Sequence, residues 1–479
     1  MAQSIQVGCE EFYAERDNRT DLSYPQPQEP VLLALTIADG WSRTPAGQLT
    51  LLWLCSLVAR MGRRYNRLQL WLPDDSASYP CLIPGVAAAT LVEAIITHLK
   101  AADPCGAYER VTRPAAGSFV VSVGDLPEGI NGLIVQPLGW TAVIASTSTH
   151  VAAGGPGLEF NPVGSALAAA LGAAAVYYHF NQQLLSHYES QAPLWISALR
   201  GSTTTSAEEA ATWEFGPNLP EGLDIRRILV VGAGALGGNV SAILGMLKSL
   251  RGRVEIVDDD RLEVSNLNRL VSALVHHLQM QQYKAHIAVE SFHGSDVEAI
   301  AHVERYERLQ VIGGSNRLQL ETYDAVVSGV DQMATRAFIQ SGWPRLLIDG
   351  GTGGFSWRVS TFPTMSEGAC VGCLAGNSQR SFNELRAPLR CAGGQADQPV
   401  QVFQHFESYG FVSFFGAAFI AARVLQRALG LPIGTGSISV EADSLFLAGM
   451  QHKNLQKSKW CLCRCGTTVA SQYRAAKYA

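Results

Sequence analysis

The sequence predicts an α/β protein of two Rossmann-like halves, each a parallel sheet covered by helices. Three observations carry this expectation. Strand-like apolar runs alternate with helix-period segments along the chain. A small, polar stretch at 201–212 (GSTTTSAEEAAT) interrupts the alternation, which restarts beyond it. A glycine-rich turn between an apolar strand and a helix occurs only in the second half.

Residues 1–29 are polar and contain proline, and are expected to be a loosely ordered lead-in. In the first half, strands are predicted over 31–37, 68–72, 119–123 and 133–145, and helices over 48–61, 86–99 and 164–178. In the second half, strands are predicted over 228–231, 253–257, 325–328 and 345–348, and helices over 239–250, 283–290 and 411–429. The expected division is a domain over 1–200, a linker over 201–219 and a second domain over 220–479.

With 47% hydrophobic and 16% charged residues, the composition is that of a core-forming chain and not a disordered one. The net charge of −5 comes without any block of like charge, so no nucleic-acid partner is expected. The N-terminus, MAQSIQVGCEEFYAERDN, has no basic region followed by an apolar run. The segment most like a membrane span, 162–180, is largely Ala and Gly and reads better as a buried, tightly packed helix. No membrane association is expected, and the expected location is the cytoplasm. Of ten cysteines, Cys9, Cys55, Cys81 and Cys105 are scattered and six lie beyond residue 369. In a reducing compartment, that clustering points to metal binding or catalysis and not to disulfides.

The chemistry is concentrated after residue 227. ILVVGAGALGG runs an apolar strand into Gly232-x-Gly234-x-x-Gly237. The first glycine permits the tight turn, the second lets phosphate approach the backbone, and the third allows close helix–strand packing. Asp258 ends the next strand, where a ribose hydroxyl would be held. The loop alone serves NAD as well as ATP and by itself favours a dehydrogenase. The segment that follows changes this. A dehydrogenase needs one acid, but here Asp258 and Asp260 precede Ser265, Asn266, Asn268 and Arg269. The amides and the arginine can donate to triphosphate oxygens, and Lys284 can neutralise further phosphate charge. Asp331, with Gln332 beside it, follows another buried strand, where an acid can hold Mg²⁺ through oxygen.

This ordered set resembles the E1/ThiF/MoeB adenylation family: glycine loop, D-x-D pair, S-N-L-x-R, helical lysine, and an aspartate after the fourth strand. The resemblance covers 220–465. Leu270 stands where the family often has Gln, and Asp331-Gln332 where it has Asp-Asn. The resemblance implies that Asp258 holds ribose, that Arg269 and Lys284 hold phosphates and that Asp331 carries Mg²⁺. The first half then looks like an inactive adenylation domain, with the 162–180 helix at the interface between the halves. Family members borrow an arginine from the partner subunit, for which Arg43, Arg64 and Arg67 are candidates. A homodimer is also compatible.

Cys370 and Cys373 have zinc-knuckle spacing, and Cys461, Cys463 and Cys465 must supply the partner pair, with the choice among them open. Cys391 lies in an irregular stretch after the knuckle, within 374–408, where E1 enzymes carry a crossover loop and a nucleophile. Arg386 and Arg390 nearby would favour its thiolate. The two-half organisation is most like the E1 of bacterial ubiquitin-like conjugation systems, the Bil (BilD) type. That implies ATP, Mg²⁺ and Zn²⁺, a ubiquitin-like protein as substrate and an E2-like enzyme as acceptor. The competing readings are a sulfur-carrier or peptide adenylyltransferase without an enzyme thioester, a non-catalytic scaffold, and an NAD-dependent dehydrogenase.

Overall fold

The computed structural model describes residues 8–18, 30–72, 79–146, 159–181, 193–312, 317–364, 368–376, 409–434, 436–441, 450–453, 455–458, 461, 465 and 467–478. Cys391, Arg386, Arg390 and Cys463 lie outside them.

Two sheets repeat one plan. The first runs β3 (Ala107–Val111), β2 (Arg67–Trp71), β1 (Leu33–Ile37), β4 (Phe119–Val123), β5 (Leu133–Leu138), β6 (Thr141–Ser146), β7 (Leu194–Ser197), β8 (Ser202–Thr204). The second runs β11 (Asp296–His302), β10 (Arg251–Val257), β9 (Asp224–Val231), β12 (Ala325–Ser328), β13 (Leu346–Gly353), β14 (Ser356–Pro363), β15 (Gly436–Glu441), β16 (Gln451–Lys453). Each sheet is parallel across its first five strands. The remaining strands are antiparallel, which corrects the expectation of wholly parallel sheets. The run 133–145, read as one strand, is a hairpin that turns at Gly139 and Trp140, with Gly139 at φ +61°.

The stretch expected as a linker also carries structure. β8 pairs with β7, and Ser206 caps the helix Ala207–Ala211 by accepting from the Glu209 amide at 3.1 Å. The lead-in holds the helix Cys9–Arg16, because Phe12 and Tyr13 bury themselves against Leu262, Leu267 and Leu270 of the second half. A disulfide joins Cys9 to Cys105, a pairing that cysteine spacing did not suggest.

One core cluster draws residues from both halves. The helix Pro162–Phe180 is capped by Asn161, starts at a proline and is apolar on every face, as a helix surrounded by protein must be. It packs against the helix Gly410–Ala428 of the other half. Tyr177 donates to the Tyr409 hydroxyl at 3.0 Å, and Trp53 meets Phe414 edge-on at 5.1 Å. Both long helices are apolar enough to cross a membrane by length and composition, yet 89% of each apolar window is buried inside the protein.

Candidate nucleotide site

β9, β10 and β12 end side by side at the point where the strand order reverses, the usual ligand station of an open α/β sheet. Here β9 gives way to Gly232 at φ +88°, a conformation that suits glycine. A Cβ on Gly237 would stand 2.0 Å from the Gly232 carbonyl oxygen, so this glycine is required where the helix Gly237–Leu244 begins. A Cβ on Gly234 would meet nothing within 4 Å. That backbone faces open space.

A crevice of about 1010 Å³ opens over this turn. Of the residues singled out in the sequence, Gly232, Gly234, Asp258, Asp260, Asn266, Arg269, Lys284, Asp331 and Gln332 line it. Gly237, Ser265 and Asn268 are buried beside it. The Asn268 amide nitrogen is buried without a hydrogen-bond partner among the described residues. Among those residues, the lining comes entirely from the second half. None of Arg43, Arg64 and Arg67 reaches it. Arg43 pairs with Asp39 in solvent, Arg64 donates to Phe180 O and Asn181 Oδ1, and Arg67 is exposed on β2.

The side chains hold one another in register. Asp258 accepts from the amides of Ala233 at 2.6 Å and Asp260 at 2.9 Å, tying the glycine turn to the end of β10. Burial raises the Asp258 carboxyl above its usual range, and the charge of Lys284 opposes the rise. Lys284 pairs with Asp260 at 2.9 Å. Arg269 donates to Ser265 O and Asn268 Oδ1 at 2.8 and 2.9 Å.

Supporting residues were missed in the sequence. Asn239 donates to Ala235 O and Arg269 O and accepts from the Val271 amide at 3.0 Å, joining the glycine-loop helix to the Arg269 segment. Arg336 donates twice to Val330 O, at 2.8 and 2.6 Å, and so steadies the turn that carries Asp331. Buried Asp349 anchors Arg336 at 3.2 Å and also accepts from Ser328 and Arg358. A signal for Asp349 was available: an acid inside the apolar run LLIDGG needs a cationic partner.

A second cluster lies at the C-terminal tail. The sulfurs of Cys370, Cys373, Cys461 and Cys465 stand within 4.8 Å of one another, with near separations of 3.9, 3.3, 3.4 and 3.5 Å. Four thiolates on a tetrahedral zinc with Zn–S near 2.3 Å would be about 3.8 Å apart, so the set fits zinc. Among the described residues, the tail contributes Cys461 and Cys465 to this set.

Residues 208–462 match the ThiF family, and the chain belongs to that family. Residues 32–190 match the BilD N-terminal domain, which makes this an E1-like ThiF-family protein of the BilD type. It is 25% identical over 356 residues to the uncharacterized protein y4jF of Sinorhizobium fredii, covering 74% of this chain and 62% of that one. It is 32% identical over 170 residues to the sulfur carrier protein adenylyltransferase of Thermus thermophilus, covering 34% of this chain and 59% of that one. The chain thus spans about three fifths of the length of these relatives. Among solved structures it is similar to E. coli MccB with ATP, at 15% identity and a TM-score of 0.38, over 50% of this chain and 67% of that one.

Proposed function

We propose that this protein is an ATP-dependent E1-type activating enzyme. In this reading it adenylates the C-terminal carboxylate of a ubiquitin-like protein, takes the acyl group onto Cys391 as a thioester and passes it to an E2-like enzyme. The observation that carries the adenylation step is the single crevice lined by the glycine turn, Asp258, Asn266, Arg269, Lys284 and Asp331.

The roles follow from the chemistry of those side chains. The open backbone at Gly234 and the amides of the helix start receive phosphate oxygens. Asp258 accepts from ribose hydroxyls. Arg269 and Lys284 offset charge on the phosphates, with Lys284 exchanging its bond to Asp260 for one to the ligand. Seven carboxylates and five cationic side chains line the crevice, so a bare triphosphate would meet more acid than base. Asp331 would hold Mg²⁺, which would supply the positive charge that the lining lacks. The substrate carboxylate attacks the α-phosphorus, the bond to the β-phosphate oxygen breaks, and pyrophosphate leaves. The Cys391 thiolate then attacks the acyl carbon, and AMP leaves with the bonding electrons. The four-cysteine cluster would hold zinc and fasten the tail.

The second reading, adenylation of a sulfur carrier or peptide with no enzyme thioester, is favoured by the Thermus relative's name. One experiment separates the two: ATP–pyrophosphate exchange and non-reducing gels, with a ubiquitin-like protein as substrate. Asp331→Ala should lower exchange about 10²–10³-fold with the fold intact. Undiminished exchange would sink the adenylation reading. Cys391→Ala should keep exchange and lose the reductant-sensitive conjugate. If the wild type forms no such conjugate, the sulfur-carrier reading replaces the E1 reading.

A further inference from the structure

Arg60 ends the helix Pro45–Arg60 in the first half and is fully buried. Its guanidinium crosses into the second half. Nη1 donates to Leu267 O at 2.5 Å, and Nη2 donates to Val271 O at 3.2 Å and Ala273 O at 2.8 Å. Nε donates to Ser56 Oγ at 3.1 Å, and Ser56 in turn meets His98 at 3.0 Å. Among the described residues no carboxylate is paired with it. A buried cation solvated by three carbonyls of another domain is costly to leave unbonded, so these hydrogen bonds hold the two segments together.

The carbonyls matter because of their neighbours. Leu267 stands between Asn266 and Asn268, and Val271 lies two residues beyond Arg269. From the other side Asn239 holds Arg269 O and the Val271 amide. The backbone that presents Asn266 and Arg269 to the crevice is therefore clasped between Asn239 of its own half and Arg60 of the first half. Gly410 closes the clasp, since a Cβ there would lie 2.8 Å from Asn268 O.

We infer that Arg60 is a positioning residue for the nucleotide site, through which the first half sets the conformation of the phosphate-facing segment 264–273. It does not touch the ligand and differs in this from an arginine inserted among phosphates. The inference rests on the reading of the crevice as an ATP site.

The test uses the full-length protein. Affinity for ATP with Mg²⁺ is measured by calorimetry, and amide hydrogen exchange over 264–273 is measured without nucleotide. Arg423 supplies the control: it is also buried and bonds across the halves to Leu199 O at 3.3 Å, with Gln426 of its own helix as a second partner, but it does not line the crevice. Arg60→Ala should weaken ATP binding about tenfold and speed exchange over 264–273, and millimolar guanidinium should restore part of both. Arg60→Lys keeps the charge and most of the volume; should the alanine variant fail to fold, the lysine variant should show the same two changes to a lesser degree. Arg423→Ala should lower the thermal midpoint while ATP affinity stays at the wild-type value. Wild-type ATP affinity and wild-type exchange in folded Arg60 variants would overturn the inference, as would an equal loss of ATP affinity in Arg423→Ala. A wild-type protein that binds no ATP would defeat the ATP reading, and the exchange over 264–273 would still decide the role of Arg60.

Discussion

The turn after β9 and the turn after β1 occupy the same station in two sheets of the same strand order, and they are built oppositely. After β9 come Gly232 and Gly234, an open backbone and a helix that begins on a glycine. After β1 comes a short helix, Asp39–Ser42, whose Trp41 is buried. Its ring lies against Gly124, the residue that follows β4; a Cβ there would sit 2.2 Å from Trp41 Cδ1. The next helix starts with Thr44 as its cap and Pro45 in its first turn. The same topology thus yields an open crevice in one half and packed indole in the other. What opens the crevice here is the absence of side chains at the turn, and the topology by itself does not supply it.

That contrast can be broken from either side. In the first half Trp41 is structural, so Trp41→Ala should cost about 3–5 kcal/mol in urea unfolding. ATP affinity should stay within about twofold, as for distant, independent sites. A large loss of ATP binding in that variant would mean that the first half's turn bears on the nucleotide site. In the second half the order of effects reverses. Gly237→Ala drives a Cβ against the Gly232 carbonyl and must shift the turn. Exchange should fall about a hundredfold, with a smaller effect on stability than that of Trp41→Ala. Equal exchange in the two variants would erase the distinction between the halves.

The central strands of both sheets were legible because they are buried on both faces. ILVV, AVVS and FVVSV are continuous apolar runs, as parallel interior strands must be. Edge strands carry less signal: β3 (AYERV), β11 (DVEAIAH) and β8 (STT) are half-polar, and they were missed. The helix Ala207–Ala211 was hidden in a stretch read as linker, although Ser206-Ala-Glu-Glu209 is a capping pattern that could have revealed it. The crevice was legible because its polar and charged residues follow the ends of β9, β10 and β12 in a fixed order, which is a pattern in residue type. Arg60 was not. Its partners are backbone carbonyls more than 200 residues away, 207 for Leu267, and a carbonyl leaves no mark on residue type.

The smallest effect concerns how each half pays for charge in its sheet. β2 and β10 hold matching positions, one strand out from the centre. β2 buries Leu68, Leu70 and Trp71, and no acid. β10 buries Glu255, which accepts from Arg227 at 2.8 Å and Arg253 at 3.0 Å and meets His302 at 2.9 Å. Burial alone would raise this carboxyl, but the bonds from His302 and Arg227 prevail and bring it down to about 2. A carboxyl lower in the folded state than in the unfolded chain adds stability above its unfolded value. That stability drains away as pH falls from the ordinary glutamate range towards 2. Glu255 should therefore contribute on the order of 3 kcal/mol at neutral pH, and most of it should be gone near pH 2. Glu255→Gln removes the titration but keeps the shape. Urea midpoints taken between pH 7 and pH 3 should fall more steeply in the wild type than in this variant. Parallel curves would show that the acid lability arises elsewhere, and that the second sheet carries its charge no differently from the first.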